Sequence, residues 1–293
     1  MKRTMRFLAM ALLCVVTLAV TSSCGKEETT DTTDEPASTN DIFSGIYNPE
    51  KKLSAMIFEY GDEVVMAEYY VWENGKLVAV KQVDTVGMPL PCVEIDYDGD
   101  RMSQTRFVNG ERVDKYIYEG DKLKYVDQYS GSVLQQRTEY SYTNARVSMA
   151  AINFQSSAKT EREFDHTTRI EFLYEWEGEN IVSENLKEYY VYRETADDGT
   201  ITTGSTTDTY LVLQQTFDNR HNPYAGCICL AYRNSGYLEV PCMAFCQNNI
   251  IKQFNGSDIH YSVEYTYDDD GWPLAATYTD NNGDIYTMRY EYR

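Results

Sequence analysis

Three histidines, seven cysteines and 46 acidic side chains are the groups in this 293-residue chain best suited to chemistry. A nucleophilic triad needs an imidazole beside Ser or Cys, with a carboxylate orienting it. His221, near Cys227, is the sequence-local candidate, but its setting before Asn222-Pro223 reads as a turn. His260 reads as the exposed start of a strand, and nothing singles out His166. Paired carboxylates serve glycoside hydrolysis, yet acids are so abundant here that no pair is distinguished. Asp268-Asp269-Asp270-Gly271 reads as a hairpin turn rather than an ion site. Gly-rich phosphate loops, HExxH and GxSxG are absent. The residues therefore point to no catalytic group, no cofactor and no metal centre.

Four cysteines, Cys227, Cys229, Cys242 and Cys246, gather where the rest of the pattern is interrupted. CxC and CxxxC spacing admits three readings. One is a metal site, although the spacing is not a standard zinc pattern and His221 is the one nearby imidazole. The second is a disulfide cluster of one or two bridges, with three pairings of four cysteines open. The third is small buried apolar side chains. Cys92 is left over from any full pairing. The interruption itself, near 222–248, is expected to be a compact loop-and-helix insert. Short helical turns are expected in Tyr224–Arg233 and Pro241–Cys246, and the insert would cover an end or edge of a sheet.

The elements around it follow a six-residue phrase: aromatic, any, Gly or Asn, any, basic or Asn, aliphatic. It appears as Trp72-ENGK-Leu77, Tyr97-DGDR-Met102, Tyr118-EGDK-Leu123, Tyr142-TNAR-Val147 and Trp176-EGEN-Ile181. Looser copies are Phe107-VNGER-Val113 and Tyr267-DDDGWP-Leu274. Gly and Asn tolerate positive φ and make tight turns, so each phrase joins two strands into a hairpin. Between turns the residues alternate. Ile170, Phe172, Tyr174 and Trp176 share one face; Tyr261, Val263, Tyr265 and Tyr267 do the same, as do Tyr286, Met288, Tyr290 and Tyr292. With 26 tyrosines and only 7 prolines, the chain is expected to be all-β. The fold is an antiparallel β-meander of about a dozen strands, forming a large twisted sheet or an open or closed barrel. A membrane-spanning barrel presents an apolar face to lipid. Here the non-aromatic strand faces carry charges, which favours a sheet or barrel in water.

Residues 1–23 read as a signal peptide: Lys2, Arg3 and Arg6, then an apolar run from Phe7 to Val20. Thr21-Ser22-Ser23-Cys24 resembles a bacterial lipobox, with Thr21 where leucine is usual; the resemblance implies lipidation of Cys24. Residues 24–41 form an acidic tether without a large apolar side chain, too polar to bury a core. Residues 42–293 are expected to form a single β domain. Lys26-Glu27-Glu28 resembles the export signal of Bacteroidetes surface lipoproteins. Asp31-Thr32-Thr33 and Asp84-Thr85-Val86 resemble that phylum's O-glycosylation motif, which implies candidate sites at Thr32 and Thr85. The expected location is the outer membrane, lipid-anchored at the cell surface, or alternatively on the periplasmic face. The formal net charge of −20 excludes a nucleic-acid partner and opposes docking on an anionic bilayer by any means but the lipid.

The segments Phe217-DNRHNP-Tyr224, Asn248-Asn249-Ile250-Ile251-Lys252 and Tyr265-TYDDDGWPL resemble a Bacteroidetes lipoprotein family of unknown function with a porin-like β fold. Tyr267-DDDGWP-Leu274 is also similar to tyrosine-aspartate repeats of Rhs-type proteins. The resemblance implies a β-meander and carries over no catalytic residue. The expected function is a non-enzymatic binding or interaction module with a glycan or protein ligand. A structural envelope component and a glycan-acting hydrolase stand as alternatives.

Overall fold

The computed structural model describes residues 42–84, 93–108, 110–154, 166–229 and 243–293. Sixteen strands run in chain order: β1 Leu53–Tyr60, β2 Glu63–Glu73, β3 Lys76–Asp84, β4 Val93–Asp98, β5 Arg101–Phe107, β6 Arg112–Glu119, β7 Lys122–Ser130 and β8 Val133–Thr143. They continue with β9 Arg146–Phe154, β10 His166–Glu177, β11 Asn180–Thr195, β12 Ile201–Phe217, β13 Ile250–Asn255, β14 Asp258–Tyr267, β15 Pro273–Asp280 and β16 Ile285–Tyr292. Each pairs antiparallel with its sequence neighbours. β1 then pairs with β16 from Leu53↔Tyr292 to Tyr60↔Tyr286, closing the meander into a barrel. The open-sheet alternative is thereby excluded, and the strand number exceeds the expected dozen.

The alternation read from the sequence sets the inside and outside of the wall. Ile170, Phe172 and Tyr174 are buried in the core, with Trp176 packed against it. Their between-neighbours Arg169 and Glu171 form an ion pair at 2.9 Å on the other face. The same holds around the ring. Arg137 pairs with Asp127 at 2.6 Å, Arg289 with Glu59 at 2.9 Å, and Arg106 with Asp96 and Glu94, all on outward positions. A lipid-facing wall is apolar between its aromatic girdles. This wall instead carries ion pairs on its outer face, while its inner face is mainly aromatic and aliphatic with the buried carboxylates Glu68, Asp114 and Glu184 among them.

The repeated phrase lies at one end of the barrel, and the structure gives it a second role beyond turning the chain. Eight side chains near the ends of even-numbered strands donate to the carbonyl beginning the preceding odd-numbered strand. The pairs are Trp72 to Leu53, Tyr97 to Leu77, Tyr118 to Met102, Tyr142 to Leu123, Trp176 to Val147, Gln215 to Ile181, Tyr265 to Ile250 and Tyr292 to Pro273, at 2.5 to 3.4 Å. A register shift accompanies each of the eight strand junctions at this end, beside Trp72, Tyr97, Tyr118, Tyr142 and Trp176 among others. Bulges increase local twist and re-aim side chains. Here they keep the aromatic and its partner aliphatic on the inner face together. Leu53, Leu77, Met102, Leu123, Val147 and Ile181 are consequently buried to 1% exposure or less.

That end is filled by two segments outside the strands. Ile42, Phe43, Ser44 and Gly45 are buried, and their backbone docks on the wall: Leu123 donates its N–H to the Phe43 carbonyl at 2.8 Å, and Met102 to that of Gly45 at 3.0 Å. Phe43 lies edge-on to Tyr142 at 5.5 Å and packs against Phe245 at 5.1 Å. Phe245 belongs to the second segment, the link between β12 and β13. Cys227, Ile228, Cys229, Ala244 and Cys246 of this link are also buried. The Tyr47 hydroxyl donates to the Pro223 carbonyl at 2.6 Å and joins the two segments. The link closes one end of the barrel, as expected of an insert covering an end of the sheet, and its side chains enter the core there. The helical turn expected within Pro241–Cys246 is present, whereas the one expected in Tyr224–Arg233 is not formed over Tyr224–Cys229, its remainder lying outside the described residues. Tyr224–Cys229 forms turns, and only a short 3-10 turn, Met243–Phe245, is helical among the described residues of the link. Asn222 Oδ1 accepts the Tyr224 N–H at 2.9 Å and Gly226 takes φ +80°; both favour turns over a continuing helix.

Candidate binding site at the open end of the barrel

The opposite end carries the other set of hairpins. Here an inward aromatic row crosses four neighbouring strands: Tyr60 on β1, Tyr286 on β16, Tyr278 on β15 and Tyr261 on β14. Register puts them side by side, since Tyr60 pairs with Tyr286 and Tyr286 with Tyr278, while Tyr261 stands two residues before Val263, the partner of Tyr278. Ring centroids are 5.0 Å apart for Tyr60 and Tyr286 and 5.7 Å for Tyr261 and Tyr278. Phe58 stacks on Tyr286 at 5.5 Å, and His260 extends the row at 5.7 Å from Tyr261. Tyr60 is 48% exposed, so the row begins in solvent and descends into the core through the half-buried Tyr286, Tyr278 and Tyr261. Burial, followed by the nearby Asp284 and Asp280, raises the Tyr286 phenol above its ordinary pKa; burial pushes Tyr278 up to about 12. At neutral pH both therefore keep a hydroxyl able to donate.

The surroundings are acidic. Asp62 and Glu63 follow Gly61 between β1 and β2, Asp258 begins β14, and Asp280 and Asp284 flank the turn between β15 and β16. No Lys or Arg stands in those three turns. Deeper on the inner face, the Glu68 carboxylate accepts from Tyr70 Oη at 2.7 Å and Gln82 Nε2 at 3.2 Å. Elsewhere on the rim, Arg112 holds buried Asp114 through Nε and Nη2 at 3.0 and 2.8 Å and lies 4.6 Å over Phe107. Burial raises the Asp114 pKa against the opposing pull of Arg112. Beside this pair is an open groove of about 420 Å³ lined by Glu94, Arg106, Phe107, Glu111 and Arg112. Stacking surfaces bordered by satisfied polar groups suit recognition of a flat or ring-shaped ligand.

The residues singled out in the sequence fall elsewhere. Cys24, Thr32, Thr85, Cys92 and Cys242 lie outside the described residues. Cys227, Cys229 and Cys246 are buried at the plugged end, with the Cys227 and Cys229 sulfurs 3.6 Å apart. His221 is exposed and stacks on Trp272 at 4.7 Å. Its backbone N–H donates to Gly271, so the Asp268–Trp272 turn is fastened to the plug. Asp218 gathers Asn249, the Arg220 N–H and the Tyr267 hydroxyl at the same junction. The three segments that carry the family resemblance therefore meet in one latch. The aromatic row was only half visible in sequence. The alternation that reveals Tyr286 and Tyr261 is also present at Met56, Phe58 and Tyr60, but no turn phrase follows those three.

No protein-family model matches the chain, and no curated protein matches it. The solved structures to which the chain is similar include the following two. One is described as a porin-like protein from Bacteroides vulgatus, 11% identical, covering 83% of this chain and 99% of its own at a TM-score of 0.48. The other is described as a porin-like protein from Bacteroides uniformis, 10% identical, covering 82% and 98% at a TM-score of 0.34.

Proposed function

We propose that the chain is a non-catalytic envelope lipoprotein, held at the outer membrane by lipid on Cys24, whose water-immersed barrel takes an uncharged glycan at the open end. The observation that carries this reading is the aromatic row from Tyr60 to Tyr261, which starts exposed and continues inward. Pyranose rings stack on aromatic faces through their C–H surfaces, and half-buried phenols offer hydroxyls to sugar oxygens. The acidic turns beside the row oppose an anionic ligand. Ile42, the first described residue, lies in the plugged end.

Calorimetry against a panel of neutral and acidic oligosaccharides tests the reading. The expected result is binding of a neutral glycan that falls at least about tenfold in Tyr60→Ala and Tyr286→Ala, with the fold unchanged by circular dichroism. Binding that survives both substitutions, or a preference for anionic glycans, would overturn it.

A further inference from the structure

The barrel wall is closed, yet one strand outruns its neighbour. β12 pairs with β11 along its length, from Ser183↔Gln214 to Thr195↔Ile201. On its other side β12 meets β13 only from Gln214↔Phe254 to Phe217↔Ile250. From Ile201 to Leu213, then, β12 has no strand partner on the β13 side among the described residues. At about 3.3 Å per residue this edge runs roughly 40 Å. Every second residue of such an edge turns its N–H and C=O outward.

Natural edge strands are protected by Lys, Pro, bulges or shortness. From Ile201 to Leu211 this edge has none of these; the one bulge of the β11–β12 ladder lies at its far end, where Glu184 pairs with Leu213 and Asn185 with Leu211. The edge reads ITTGSTTDTYLVL, with Asp208 its one charge, in a chain of net charge −20. Its partner β11 takes the charges instead, including Lys187, Glu188, Arg193 and Glu194. The register from Asn185↔Leu211 to Thr195↔Ile201 runs without a bulge. Even the glycine is supported: the Tyr192 ring lies over Gly204, where an added Cβ would come within 2.5 Å of the ring carbon Cζ. The edge is therefore long, regular, β-branched and nearly uncharged.

We propose that this edge is a self-association surface that takes β12 of a second copy of the chain in antiparallel register. Antiparallel pairing places a strand against itself about a two-fold axis, a closed and isologous arrangement that stops at a dimer. Centred on Thr207, the midpoint of the free edge, it sets Asp208 opposite Thr206 and keeps the two aspartates off each other. Parallel pairing in register would place them together. Thr–Thr neighbours across such a pair are favourable. In a chain this acidic, the stretch with one charge is where two copies repel least.

Sedimentation velocity on the full chain in non-ionic detergent, over a range of loading concentrations, tests the proposal. The expected result is a reversible dimer. The double variant Thr203→Lys/Thr207→Lys should weaken dimerisation at least about tenfold while leaving circular dichroism and Tm unchanged. The separate variant Thr207→Cys should give a covalent dimer on mild oxidation. A wild type that stays monomeric at every concentration would overturn the proposal. So would a dimer that is indifferent to the lysines.

Discussion

Gly45 occupies a position that no other residue fits. Its φ is +75°, and a Cβ there would overlap the Tyr118 hydroxyl, which is itself donated to Met102 at 2.7 Å. Gly45→Ala combines backbone strain with that overlap. It should lower stability by about 2 kcal/mol or more, read as a fall in Tm, and should expose the N-terminal segment to protease. The reverse case is Ala145, a non-glycine at φ +65° in the β8–β9 turn. Ala145→Gly relieves strain and should stabilise by about 0.5–1 kcal/mol; no gain in Tm would mean the turn does not hold that conformation in solution. Neither effect was legible in sequence. The phrase Tyr142-TNAR-Val147 marks a turn but not the sign of φ at Ala145, and Gly45 falls outside every repeat.

At the scale of the element, the hairpin phrase was readable, but its consequence was not. Periodicity shows that Tyr97 and Tyr118 share faces with the residues two before them. It does not show that each reaches the carbonyl of the strand before. The β12 junction uses Gln215 in the same role and so escaped the aromatic pattern altogether. A neutral hydrogen bond of this kind contributes about 1 kcal/mol. Tyr118→Phe and Tyr142→Phe should each cost about that much in urea unfolding, and nearly additively, since they serve different junctions. The turns at Tyr224–Cys229 are hidden from the sequence for a related reason. Ala, Leu and Tyr after Tyr224 suggest a helix, but Asn222 and Gly226 set turns, and burial of Cys227, Ile228 and Cys229 inside the barrel decides the rest. Closure between β1 and β16 joins residues more than two hundred apart and leaves no local trace.

For the whole molecule, the tyrosine-lined interior fixes a pH response. Burial raises the phenols of Tyr47, Tyr224, Tyr265 and Tyr290 well above their ordinary value, with neighbouring Tyr and Cys groups adding to it. A phenol whose pKa is higher folded than unfolded favours the fold as the neutral group. That stability is complete below about pH 10, the unfolded value, and is lost as pH rises beyond it. The phenolate absorbance of these residues should thus appear only with cooperative unfolding in alkali; a gradual, fully reversible titration with the fold intact would count against a tyrosine core. The fold class, hairpins and wet outer face were legible because they rest on local alternation. The aromatic row was legible only in its β14 and β16 members, because closure brings Tyr60 from the other end of the chain to complete it.

A barrel with ion pairs on its outer wall folds in water. Purified residues 25–293 in gel filtration and circular dichroism, with no detergent present, should be a folded, monodisperse β protein of monomer or dimer size. Folding only in detergent or lipid would mean that the charged wall faces a membrane, against this reading of the fold.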